Sequence, residues 1–241
     1  MKAIIMAAGK GSRISDKIGT IPKSILEING KPIIKNTVEM LISLDIQVIV
    51  CTGYQSKVIE NALSGLDVRF YYNPFYDVTN NIASLWFARK ELDDDVILLS
   101  ADLVFEEEIV KKLIANDNPL TMTVDKSRIF DGDFFFRLSK DGYILDFGPD
   151  MPEHLRSCEY MGLCKVKKSA VNLFKERLEE FISDNNHQVY FEHVFLSFDE
   201  RSELRTTTLD ISGFFWREID FYEDYLKALK QFQTDFKGEL K

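Results

Sequence analysis

The sequence predicts an α/β fold, a mixed and mostly parallel sheet flanked by helices with a smaller antiparallel extension. Three observations carry this prediction. Continuous apolar runs at 2–8, 47–52 and 96–100 read as buried strands. Helical spacing alternates with these runs through the first half of the chain, and alternation of that kind is the signature of a doubly wound sheet. Each run ends on glycine or on polar residues, at the carboxyl ends where such sheets bind ligands.

Taken in order, Ala3, Ile4, Ile5 and Met6 form the first strand, and a glycine-containing loop follows at once. Residues 25–32 contain Asn29-Gly30, a tight-turn signal that predicts a hairpin. Ile33, Ile34, Val38, Met40, Leu41 and Leu44 fall at helical spacing over 33–44. The strand 47–52 ends at Gly53, a short helix occupies 56–63, and a strand follows at 68–72. Residues 80–92 read as helix, closed by the acidic turn 93–95, and residues 106–114 as a second helix after the strand 96–100. The second half changes texture. Segments 120–124, 134–138, 143–146 and 163–166 read as antiparallel strands, with Asp-Gly turns at 131–132 and 141–142. Helices are expected at 168–182 and 219–232. No linker, repeat or low-complexity tract divides the 241 residues, so a single domain is expected, with 1–115 as one half and 116–241 as the other.

Composition narrows the function. Hydrophobic residues make up 45% and charged residues 29%, a globular balance that excludes a disordered chain. The formal net charge is −9, which argues against nonspecific nucleic-acid binding. Cys51, Cys158 and Cys164 form no C-x-x-C and complete no zinc spacing with the histidines, so reduced thiols are expected. The first apolar run is too short for a signal sequence or a membrane span, and a cytoplasmic protein with no membrane partner is expected.

Residues 7–13, Ala-Ala-Gly-Lys-Gly-Ser-Arg, combine small residues that let backbone N–H groups approach an anion with two cationic side chains. A third glycine is missing for a dinucleotide fingerprint, because position 14 is Ile, and the Walker A pattern is absent. Pro22-Lys23 follows, and then the hairpin before an apolar helix. This compound pattern, Ala7-Ala8-Gly9-x-Gly11-x-Arg13 with Pro22-Lys23, resembles the nucleotidyltransferase family. Its members join a nucleoside monophosphate to a phosphorylated small molecule and release pyrophosphate. Their fold is a Rossmann-like mixed sheet with a smaller substrate-binding lobe.

The resemblance implies that Ala7, Ala8, Gly9, Lys10, Gly11 and Ser12 wrap the nucleotide. It places Arg13 at the β- and γ-phosphates and Lys23 at the α-phosphate, as the catalytic cations. Asp102 resembles the first magnesium ligand, with Ala101 beside the nucleotide, and Asp220 matches the second, so Mg2+ is the implied cofactor. Asn80-Asn81-Ile82-Ala83-Ser84-Leu85 resembles the branch containing phosphocholine, phosphonate and phosphoramidate cytidylyltransferases. Asn81 and Ser84 then face the nucleotide, with Gly53 and Tyr54 as further base-side candidates.

The expected partners are CTP and a small non-sugar acceptor bearing phosphate or phosphonate: phosphocholine, aminoethylphosphonate or a phosphorylated glutamine. A sugar-1-phosphate enzyme using another nucleotide, or a non-catalytic nucleotide-binding module, is the alternative. Arg128, Phe130, Phe134, Tyr160, Tyr190 and Glu192 are the candidate acceptor residues. Aromatics with an acid suit an amino group, and an arginine suits an acceptor's anion. Phe221, Tyr225, Leu226, Leu229 and Phe232 form an apolar stripe that suits either the core or a homodimer interface.

Overall fold

The computed structural model describes residues 1–11, 13–130, 132–198 and 204–238, without the side chains of 15, 18 and 232–238. Ser12, the first residue of the Asp131-Gly132 turn and the Phe232 side chain therefore lie outside the described residues. In chain order the first half contains β1 (Lys2–Ala7), α1 (Ser15–Ile18), β2 (Glu27–Ile28), β3 (Lys31–Pro32), α2 (Ile33–Ser43), β4 (Gln47–Thr52), α3 (Ser56–Ala62), β5 (Val68–Tyr72), α4 (Asn81–Phe87), β6 (Val96–Ser100), β7 (Leu103–Phe105) and α5 (Glu107–Ala115). The second half contains β8 (Leu120–Asp125), β9 (Phe135–Leu138), β10 (Ile144–Gly148), β11 (Cys158–Val166), α6 (Lys168–Ser183), α7 (Glu192–Leu196), β12 (Thr207–Asp210), β13 (Trp216–Glu218) and α8 (Tyr222–Gly238).

Strands β6, β1, β4 and β5 lie side by side and parallel. Their side chains alternate between two cores. Ile4 and Met6 of β1 join Ile82 and Leu85 of α4 and Phe174 of α6 on one face. Ala3 and Ile5 join Val38 and Leu41 of α2 and Ile109 of α5 on the other. Burial on both faces is why these strands read as unbroken apolar runs. At the hairpin, Asn29 and Gly30 both take positive φ, at 55° and 73°, as a tight turn of this kind requires.

The antiparallel strands extend the same sheet. β11 pairs antiparallel with β6 and carries the order outward through β9 to β10, while β8 also pairs with β11 and β12 pairs with β8. β11 runs well beyond the expected 163–166. A register irregularity between Tyr160 and Cys164, with Gly162 at φ 92°, breaks the alternation that would have marked the rest.

Two helices differ from expectation. The segment 80–92 splits into α4 and a 3-10 turn at Arg89–Glu91. There Glu91 is buried because Lys2, Arg69 and Tyr71 all bond its carboxylate. Helix α8 starts at Tyr222 rather than 219, since the Ile219 N–H donates to the Asp102 carbonyl at 3.1 Å. The apolar stripe of α8 is shared between core and solvent. Tyr225 and Leu229 pack on buried Ala228, Ile28 and Ile219, whereas Phe221 and Leu226 are exposed. No helix among the described residues is long and apolar enough to cross a membrane.

Candidate active site

The carboxyl ends of β1 and β6 open into a cavity of about 700 Å³. Gly11 takes φ 62°, and a Cβ there would come within 2.5 Å of Lys23 Cγ. The glycine is thus required for the loop to pass over the lysine. Pro22 and Lys23 lead into a 3-10 turn at Lys23–Ile25, which directs the lysine back toward β6.

Lys23 lies between two carboxylates, with Nζ 2.6 Å from both Asp102 Oδ2 and Asp220 Oδ1. Arg13 donates to the second oxygen of Asp220 at 2.5 Å. Burial acts to lower the Lys23 pKa, but the Asp102 and Asp220 charges outweigh it and hold the ammonium well above its usual range. Lys23 is therefore a fixed cation at any physiological pH.

Glu218 completes an acidic cluster that the sequence reading missed. Asp102, Glu218 and Asp220 each offer a carboxylate oxygen within 4.8 Å of the others. The Glu218 carboxyl is held well above its usual range by burial, and then by the Asp102 and Asp220 charges. The signal was present in Glu218-Ile219-Asp220: alternate positions of an extended chain share one face. β13 pairs with β7, placing Glu218 opposite Leu103 and next to Asp102. Three oxygen donors crowded in this way fit a hard divalent cation, whose charge would favour the ionised form of Glu218.

One end of the cavity is uncharged. Asn73, Tyr76, Thr79, Asn80 and Ser84 line it, together with Ala7, Ala8, Gly9 and Ala101. Asn73, also missed, is buried and bonded to Thr79 and Ser84. Asn80 caps α4, accepting the Asn81 N–H at 2.8 Å. Asn81 lines the cavity too, but its Oδ1 accepts the Phe191 N–H at 2.7 Å, tying α4 to the segment before α7.

The other end is aromatic. Phe134, Phe147, Tyr160, Tyr190 and His193 line it around Glu192. Phe134 stacks on Phe147 at 6.2 Å and meets Tyr160 edge-on at 6.3 Å. Glu192 is buried, with Tyr160 Oη 3.4 Å from Oε1, and its Oε2 has no hydrogen-bond partner among the described residues. Burial pushes the Glu192 carboxyl up to about 7, against the pull of the Asn81 and Tyr160 side chains. Burial also holds His193 below the usual imidazole range. Asp133 stands where this end meets the acidic cluster, its carboxyl raised by burial and by the Asp220 and Asp224 charges.

Five expected site residues do not face the cavity as placed. Lys10 lies at its rim, 5.7 Å above the Tyr76 ring. Gly53 is required by packing, since a Cβ would approach Tyr76 Cβ to 2.6 Å and the Ala8 carbonyl to 2.8 Å. The Tyr54 hydroxyl donates to the Thr20 carbonyl at 3.0 Å and so ties down the far end of the glycine loop. Arg128 Nε pairs with buried Glu159 at 2.7 Å, and its guanidinium stacks on Trp216, which leaves no free fork for an acceptor. Phe130 is 74% exposed and outside the cavity.

The MobA-like NTP transferase domain matches residues 3–139, more than half of the chain. The chain belongs to the MobA-like NTP transferase family. This nucleotidyltransferase is 30% identical, over 93% of its length and 97% of the relative's, to a CTP:phosphoglutamine cytidylyltransferase of Campylobacter jejuni. It is 25% identical, over 95% of its length, to a CMP-5'-(3-aminopropyl)phosphonate synthase of Streptomyces rubellomurinus, of which it spans 38%. Its fold matches the CTP:phosphocholine cytidylyltransferase of Streptococcus pneumoniae with a TM-score of 0.74 at 20% identity, covering 95% of this chain and 97% of that one.

Proposed function

We propose that the protein transfers CMP from CTP to the phosphate or phosphonate of a small acceptor bearing an amino or alkylammonium group, and releases pyrophosphate. The observation that carries this is the order of chemistry along one cavity: uncharged hydrogen-bonding groups, then Lys23 with three carboxylates, then an aromatic end with a buried acid. The names of the relatives support the cytidylyl group and a phosphorus-bearing acceptor.

An acceptor phosphate has its second pKa near 6, so its oxygen is already anionic at pH 7 and needs no general base. That oxygen forms a bond to the α-phosphorus, the bond to the bridging oxygen breaks, and the electron pair leaves on pyrophosphate. The obstacle is the approach of two anions, which Lys23 and Arg13 offset with fixed positive charge. Asp102, Glu218 and Asp220 would hold a magnesium ion, whose chemistry here is to neutralise phosphate charge.

At the aromatic end, Glu192 with a free oxygen among aromatic rings suits a cation, through charge and ring-face attraction. Among the described residues lining that end, the only basic side chain is His193, held toward its neutral form. Phosphorus NMR of a reaction with CTP, magnesium and 2-aminoethylphosphonate or phosphocholine tests the reading. A new phosphoanhydride resonance, alongside free pyrophosphate, is expected with at least one of them. Unchanged CTP with every amine-bearing acceptor would refute it.

A further inference from the structure

The uncharged end of the cavity contains a hydrogen-bond network whose protons can be assigned one by one. Asn73 is 1% exposed, and its Oδ1 accepts the Phe75 N–H at 2.9 Å, which fixes the amide's orientation. Its nitrogen therefore donates twice, to Thr79 Oγ1 at 3.1 Å and to Ser84 Oγ at 3.0 Å. Thr79 in turn spends its own proton on the Phe75 carbonyl at 2.8 Å. The Ser84 hydroxyl proton is the one left over, since among the described residues Ser84 donates to no side chain or carbonyl. Ser84 is 1% exposed by area yet lines the cavity. An amide nitrogen cannot accept a hydrogen bond, so Ser84 cannot turn its proton inward to Asn73.

We infer that Asn73 is a positioning residue that biases the Ser84 hydroxyl to donate toward ring position 3 of the base, and that this polarity favours CTP over UTP. The inference rests on the cytidylyl reading above. The two bases differ at ring position 3, where cytosine presents a lone pair and uracil an N–H, and in the opposite sense at position 4, where cytosine presents an amino group and uracil a carbonyl; a donor selects cytosine at position 3. Asn73 fills one lone pair of Ser84 Oγ, and among the described residues no acceptor takes the hydroxyl proton, so the group is fully paired only as a donor to cytosine, whereas accepting the uracil N–H would leave that proton buried without a partner. A site that pairs a buried polar group with only one of two ligands discriminates strongly.

Calorimetric binding of CTP and of UTP, each with magnesium, to the full chain tests this without relying on turnover. In Asn73→Asp, above neutral pH, a carboxylate oxygen replaces the donating nitrogen and takes the Ser84 proton. Ser84 then offers only lone pairs. The ratio of UTP to CTP dissociation constants is expected to fall about tenfold or more. Ser84→Ala removes the donor without disturbing the Phe75 cap, and is expected to lower the ratio as well. Wild-type selectivity retained in Ser84→Ala would overturn the inference, as would wild-type selectivity in Asn73→Asp alongside a lowered ratio in Ser84→Ala. A wild-type protein that binds no CTP would fail the cytidylyl reading itself, and the inference with it.

Discussion

Lys23 sits 2.6 Å from two carboxylates, beneath Gly11, where a Cβ would collide with its side chain. Its charge is most needed where negative charge develops in transfer, so Lys23→Ala should lower kcat by about 10²-fold or more while CTP affinity changes much less. Single-turnover kinetics with a calorimetric Kd separates the two, and an unchanged kcat would remove Lys23 from the chemistry. Glu192 makes a second prediction, with a defined sign. Its carboxyl, pushed up to about 7, is neutral below that pH and anionic above it, and only the anion attracts an ammonium. Acceptor kcat/KM should therefore rise through pH 7. Glu192→Gln should lose that limb, keep the limb near 6 from the acceptor's own phosphate, and raise acceptor KM about tenfold or more. A pH profile identical to wild type would detach Glu192 from the acceptor.

At the level of elements, the antiparallel strands carry the far wall of the cavity, and a buried ion pair fixes them. Arg128 bridges from the β8–β9 connection to Glu159 on β11, while stacking on Trp216 at the start of the strand that carries Glu218. Glu159 also accepts the Asp133 N–H at 3.2 Å, and burial pushes its carboxyl up to about 7. Arg128→Ala leaves a buried acid without its cation. The expected cost is about 2–3 kcal/mol at pH 8, or a fall in Tm of about 5–10 °C. The cost should shrink at pH 6, where Glu159 is protonated and needs no partner, and an equal loss at both pH values would contradict the assignment.

Legibility in the sequence followed element length. The strands of the parallel core announce themselves because Ile4, Ile49 and Leu98 belong to runs buried on both faces. β7 and β13 are three residues each, too short for any periodicity to register, and they bring Glu218 to Asp102. The glycine loop was readable because it directly follows a long strand, whereas Lys23, in a three-residue 3-10 turn, and the Asp102 and Asp220 pair were assigned only by the resemblance to the nucleotidyltransferase family. Asn73 and Glu218 lie at ends of short or irregular segments, where spacing carries no information about which residues meet. Arg128 showed the converse failure, because an arginine among aromatics has the same sequence signature whether it faces a ligand or a buried acid.

Across the whole molecule, the cavity runs from an uncharged end through a cation among carboxylates to an aromatic, acidic end, and the proposed cytidylyl transfer to an amine-bearing acceptor rests on that order. Removal of magnesium by chelation should abolish turnover and leave the fold intact, because the sheet and both cores are built without the acidic cluster. The most direct measurement is pyrophosphate release with magnesium from CTP, UTP, GTP, ATP and dTTP, each with phosphocholine, 2-aminoethylphosphonate, a phosphorylated glutamine and glucose 1-phosphate. The proposed function predicts release with CTP and an amine-bearing acceptor, and little with glucose 1-phosphate. Release from a sugar phosphate alone, or from a nucleotide other than CTP, would contradict it.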